Sequence, residues 1–166
     1  MIPICPILLL SLFLVFGASS VPIQNKVYPS PDKRLRAIII PVGKKGFESQ
    51  ESRIEIRKSD GTLIRWKSFA SEDGEHGRGV EHGEWTADGE FFVFNTQSSG
   101  GHQPWNWAIY FYSRQKNRFY SLDAFIGPVT SDFTLAGKAT VKTTRFNFEK
   151  EEEREAVTVR LHKLVK

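Results

Sequence analysis

The chain has 166 residues, of which 40% are hydrophobic, 25% charged and 13% aromatic, the composition of a folded globular domain and not of a disordered or collagen-like chain. Lys and Arg number 23 against 19 Asp and Glu, a net charge of +4, and no dense basic stripe runs along the sequence, so a nucleic-acid partner is not expected. A single cysteine, Cys5, excludes a disulfide framework.

The first twenty residues are a separate object. Ile7 to Phe16 reads ILLLSLFLVF, and Gly17-Ala18-Ser19-Ser20 follows. A hydrophobic run of about ten residues with a small-residue exit is the pattern of a secretory signal peptide, here with cleavage expected before Val21. The pattern departs from the usual one in lacking Lys or Arg ahead of the run. A retained anchor is the rival reading, but a bilayer span needs roughly 17–25 residues. Cys5 precedes the apolar run, whereas a lipid-modified cysteine would follow it. The expectation is an extracytoplasmic protein, periplasmic or secreted and bacterial in character, with no stable membrane span after signal cleavage. Residues 21–166 then form one domain, held together by its core alone.

Along that domain a period of two dominates. Ala37 to Ile40 is a dense apolar run, and Arg53-Ile54-Glu55-Ile56-Arg57 alternates strictly, as a half-buried strand does. Ser59-Asp60-Gly61 is the turn of a hairpin, because glycine accepts the positive φ that a tight turn imposes. Ser71 to Glu84 reads as a long loop with four glycines, and Asp88-Gly89 as a turn after Trp85. Phe91 to Phe94 and Trp107 to Tyr112 are apolar at consecutive positions, the mark of strands buried on both faces. Arg114 to Asn117 separates the second of these from Arg118 to Leu122. The run Glu149 to Glu155 reads as a solvated tip ahead of an alternating last strand, Ala156 to His162. No helical stripe of about twelve residues or more appears, so the fold class is all-β with antiparallel sheets.

A repeat organises these elements. Ser30 to Ile38, SPDKRLRAI, aligns with Thr86 to Phe94, TADGEFFVF; each is a turn followed by a buried strand and then a hairpin. Trp85, Asp88, Gly89 and Phe94, with Ser30, Pro31 and Asp32 in the first copy, resemble the W-S-P-D-G-x-x-L-A-F opening of TolB-like, WD-type β-propeller blades. Lys33 stands where that pattern has glycine, and Ala87 where it has proline. The resemblance implies blade-like units at about 27–69 and 82–125, followed by C-terminal strands over 129–166. Closed propellers have about four to eight blades, so two units imply an open, sandwich-like stack or an oligomer.

Two clusters could carry chemistry. The first, Ser71 to Glu84, holds His76 and His82 among carboxylates, side chains able to ligate a metal, but their spacing matches no metal motif. The second, Gln97 to Trp107, joins two buried strands. His102, Gln103 and Asn106 offer directional hydrogen bonds and Trp105 a stacking surface, a set suited to a protein, peptide or glycan partner. No nucleophile elbow, P-loop or dinucleotide fingerprint is present, so no cofactor and no catalytic residue are expected. The leading expectation is a non-enzymatic binding module using His102, Gln103, Trp105 and Asn106. The alternative is a small metal-dependent hydrolase using His76, His82 and His102.

Overall fold

The computed structural model describes residues 24–42, 51–100, 106–147 and 153–165. The expected signal peptide lies outside these residues, as do His102, Gln103 and Trp105. The described protein is all-β, in three antiparallel sheets that do not close into a barrel or propeller. The first sheet runs β1 (Lys26–Pro29), β2 (Leu35–Pro41), β3 (Ser52–Lys58) and β4 (Leu63–Ser68), and the second β5 (Arg78–Trp85), β6 (Phe91–Ser98), β7 (Ile109–Ser113) and β8 (Arg118–Ser121). The third holds β9 (Thr134–Ala136), β10 (Thr140–Asn147) and β11 (Glu153–Arg160). In each sheet, neighbours in sequence are neighbours in space. Helical turns among the described residues are confined to α1 (Asp123–Ile126) and a 3-10 turn at Leu161–Lys163; the latter ends the last strand two residues earlier than its alternation predicts.

The sheets stack because β6 is apolar at every position of its first half. Side chains alternate across a strand, so such a run requires a cover on both faces. Phe92 and Phe94 pack against Ala37, Ile54 and Ile56 of the first sheet. Phe91 and Val93 pack against Val129, Val141 and Leu161, in and around the third. All four β6 side chains are at most 2% exposed. The second sheet is therefore the filling between two cores.

The repeated turns have the same hydrogen bonding. In the first copy, the Ser30 hydroxyl lies 2.7 Å from Asp32 Oδ1 and accepts from the Leu35 amide at 3.0 Å, while Asp32 Oδ1 accepts from the Arg34 amide at 3.1 Å. In the second, the Thr86 hydroxyl lies 2.6 Å from Asp88 Oδ1 and accepts from the Phe91 amide at 3.1 Å, while Asp88 Oδ1 accepts from the Glu90 amide at 3.1 Å. Gly89 takes φ +70° and Lys33, at the matching position, takes φ +58°. The departure from glycine in the first copy thus leaves the geometry unchanged and adds backbone strain.

Each turn aspartate also reaches the next sheet. Arg114, just beyond β7, donates to Asp32 Oδ2 at 2.8 Å, and His162, just beyond β11, lies 2.9 Å from Asp88 Oδ2. In both cases the third strand of the following sheet delivers the partner. Hydrogen bonds from Ser30 and Arg114 hold the Asp32 carboxyl well below its usual range. At Asp88 burial pushes upward, and bonds from Thr86, His162 and the Glu90 amide outweigh it.

Two strands were hidden in the sequence. The Ser71–Glu84 segment is a loop only as far as Gly77; from Arg78 onward it is β5. Its glycines blank the hydrophobic period, and Gly83 is needed because a Cβ there would stand 2.6 Å from the Phe92 ring. The first sheet likewise gains β1 ahead of its turn, so both units are four-stranded and their first strands precede the turns.

Phe92→Asp and Val93→Asp should each prevent folding, since the two side chains enter opposite cores and an unpaired buried carboxylate costs several kcal/mol; circular dichroism of the purified variants checks this. Lys33→Gly should raise stability by about 0.5–1 kcal/mol in urea unfolding, because relief of the left-handed lysine exceeds the added freedom of the unfolded chain.

Candidate functional site

Antiparallel strands sort the connections to two ends. One end holds the tight turns at Ser30–Arg34, Ser59–Gly61, Thr86–Glu90 and Arg114–Asn117. The other receives the long connections after β2, β4, β6 and β8. Binding residues concentrate on loops carried by a rigid scaffold, and the second end has such a scaffold.

Its centre is Glu51, only 1% exposed. The Ser71 hydroxyl reaches Oε1 at 2.6 Å and the Ser71 amide donates to Oε2 at 2.9 Å. The Gly77 amide donates to Oε1 at 2.6 Å, and the Ser99 hydroxyl lies 3.1 Å from the same oxygen. Burial alone would raise this carboxyl, but the donors from Ser71, Gly77 and Ser99 overcome it and the net shift is downward. One carboxylate, itself at the end of the connection between β2 and β3, thus ties together both ends of the β4–β5 connection and the start of the β6–β7 connection. The Ser99 amide adds a bond to the Gly77 carbonyl at 3.0 Å, so the 71–84 and 97–107 segments meet.

A second set of bonds holds the far side of the 97–107 segment. Arg78 donates through Nε to the Thr96 hydroxyl at 2.8 Å and through Nη2 to the carbonyls of Thr96 at 2.9 Å and Asn106 at 3.1 Å. The Asn106 side-chain oxygen is 3.5 Å from the same nitrogen. The Trp107 amide donates to the Val129 carbonyl at 3.1 Å, and its ring packs on the core between the second and third sheets. Asp123, whose carboxyl burial pushes up, accepts from the Ile109 amide at 3.1 Å. Asn106 is therefore fixed in place, at the edge of residues 101–105.

The histidines separate. His76 pairs through Nδ1 with Asp73 in the 69–77 loop. His82 sits on β5, at a break in its register with β6 between Val80 and Gly83. Its Nδ1 lies 3.1 and 3.2 Å from the two oxygens of Asp132, and its ring stacks on Phe133 at 4.6 Å. Asn95, fully buried, donates to Asp132 at 2.7 Å and accepts the His82 amide at 2.9 Å. This is a carboxylate-oriented imidazole, a competent proton acceptor in form, yet no nucleophile is hydrogen-bonded to it among the described residues. Nor, among the described residues, do three or more His, Cys, Asp or Glu gather to hold a metal ion. His102, the third histidine of the hydrolase alternative, lies outside the described residues.

Glu51, Arg78, Asn95 and Asp132 had no signature in the sequence, since each acts on partners from about 13 to 50 residues away, distances over which no local pattern operates. No family model matches the chain, and no curated protein does. Among solved structures, one described as a conserved lipoprotein from Clostridium novyi NT is similar in fold, with a TM-score of 0.51 and 14% identity, over 87% of this chain and 92% of that one. No helix among the described residues is long and apolar enough to cross a membrane.

Glu51→Ala should cost about 3 kcal/mol or more, because several buried donors lose their acceptor together. Its contribution should also depend on pH. A carboxyl held low in the fold stabilises fully above its unfolded value, about 4.3, and loses that effect as pH falls through the lower folded value. The stability difference between wild type and Glu51→Gln, read from urea unfolding, should therefore narrow below about pH 4.

Proposed function

We propose that the chain is an exported, non-enzymatic binding module whose long-loop end captures a protein, peptide or glycan partner. The observation that carries this reading is the Glu51 tie. A scaffold that fixes both Ser99 and, through Arg78, Asn106 lowers the ordering cost of anything that binds between them. On that frame Asn106, together with His102, Gln103 and Trp105, forms the ligand-binding set. Hydrogen-bonding amides beside an indole face suit sugars and extended peptides.

Export is supported by the apolar run Ile7–Phe16 and its small-residue exit. The lipoprotein description of the Clostridium structure is in keeping with it and belongs to that protein. The two four-stranded units with their tied Ser/Thr-x-Asp turns support kinship with TolB-like blades, a scaffold that serves many functions. The hydrolase alternative rests on the oriented His82 imidazole.

Wild-type protein and Trp105→Ala should be compared on glycan and peptide arrays and in thermal melts. Loss of binding with an unchanged melting temperature is the expected result. A melting loss equivalent to about 3–5 kcal/mol with binding retained would make Trp105 a packing residue and defeat the proposal. Stoichiometric metal in untagged protein, lost on His82→Ala, would favour the hydrolase.

A further inference from the structure

The third sheet is one strand short of its neighbours. The first and second sheets each run through four strands in chain order, whereas the third has β9, β10 and β11. β11 holds the place of β7: His162 just beyond it reaches Asp88 as Arg114 just beyond β7 reaches Asp32. In the second sheet β8 follows at that point; in the third, no strand lies on the free side of β11 among the described residues. After β11 the chain turns inward, and Leu161 and Val165 are buried in the core between the second and third sheets.

This edge also lacks the usual protection. Sheet edges are ordinarily blunted by shortness, proline or bulges. Among the other edge strands, β1 has 4 residues and ends in Pro29, β8 has 4 and β9 has 3. β4 and β5 meet their neighbours through a register shift. β11 has 8 residues and no proline, and all of them pair with β10 in unbroken register. The surface beside it is apolar. On one face of the second sheet, Ile64 of the fourth strand β4 and Phe119 of β8 pack on the same core. On the other face Tyr120 of β8 packs on the second core, and Phe125 of α1, its ring 6.5 Å from that of Tyr120, is 44% exposed. Arg145 joins α1 to β11, donating to the Ile126 carbonyl at 2.7 Å and to Glu155 at 3.1 Å.

We infer that β11 takes an extended segment of a partner protein as an antiparallel fourth strand of the third sheet. In this mode main-chain hydrogen bonds supply affinity and alternate side chains supply specificity. Directly paired residues project from the same face. Val157 and Val159 pair with the buried Thr143 and Val141 and face the core, so the segment is apolar opposite them and covers Tyr120 and Phe125. Arg154, Thr158 and Arg160 are exposed on the outward face, so the segment is acidic opposite the two arginines. The two demands fall on alternate positions and on opposite faces, as the side chains of one strand do. A second copy of β11 fits worse. Around a twofold axis the two fullest registers set either Arg154 opposite Arg160 or Glu155 opposite Val157, like charge on like charge or a carboxylate on an apolar side chain.

The probe is the fluorescent peptide Glu-Val-Thr-Val-Thr-Val-Glu, titrated with the full chain and followed by anisotropy. Wild type should bind it. Methylating alternate backbone nitrogens of the peptide should abolish binding in one of the two alternating patterns and spare it in the other, because only one edge of an added strand faces β11. Arg154→Glu combined with Arg160→Glu should weaken binding by about tenfold, and a peptide with Lys in place of both Glu should restore it. Phe125→Ser should also weaken binding, with unchanged circular dichroism. No binding by wild type, equal loss in both methylation patterns, or unchanged affinity in the charge-reversed protein would overturn the inference. So would wild-type self-association in sedimentation that Phe125→Ser abolishes, which would make a second copy the occupant. Trp105→Ala, at the other site, should leave peptide binding intact.

Discussion

Everything in this molecule hangs on the double burial of β6. Four consecutive apolar residues on one strand cannot be satisfied by a single core, because alternate side chains leave on opposite sides. Phe92 and Phe94 demand a first sheet, and Phe91 and Val93 demand a third. At about 25 cal/mol per Å² of apolar surface removed from water, leaving either face open would expose two large side chains and their neighbours. The stack is three sheets deep for this reason, and its outer sheets need bury only one face each.

The aspartate ties set which end of the stack is closed and which is open. Asp32 and Asp88 each organise their own turn and then hold a residue of the next sheet, Arg114 and His162. This short-turn end is fixed by local bonds repeated from sheet to sheet. At the other end the connections are longer, and a buried carboxylate from the first sheet, Glu51, performs the corresponding task through Ser71, Gly77 and Ser99. A rigid foundation beneath long connections is an arrangement on which binding loops are commonly built.

Much of the fold was legible in the residues. The alternation of Arg53 to Arg57 appears as Ile54 and Ile56 turned inward and the charges outward, and the dense run Phe91 to Phe94 as the strand between two cores. The Ser30 and Thr86 turns were visible because their signal is local. β5 was not, because Gly79 and Gly83 remove the side chains that periodicity reads, and the reason for Gly83 is the Phe92 ring across the ladder. The candidate site was less legible. Asn106 could be named, but the arginine that fixes it is 28 residues away. His76 and His82 looked like one cluster in sequence, whereas the strand that starts at Arg78 gives each its own aspartate.

Because the second sheet belongs to both cores, it should be the last part of the protein to open. Hydrogen exchange of the full chain under native conditions tests it directly. The slowest amides are expected in β6 and β7, exchanging only with global unfolding, with faster exchange in the edge strands β4 and β8. Amides of β6 exchanging as fast as those of β4, or a first sheet that stays protected after β6 has opened, would contradict it.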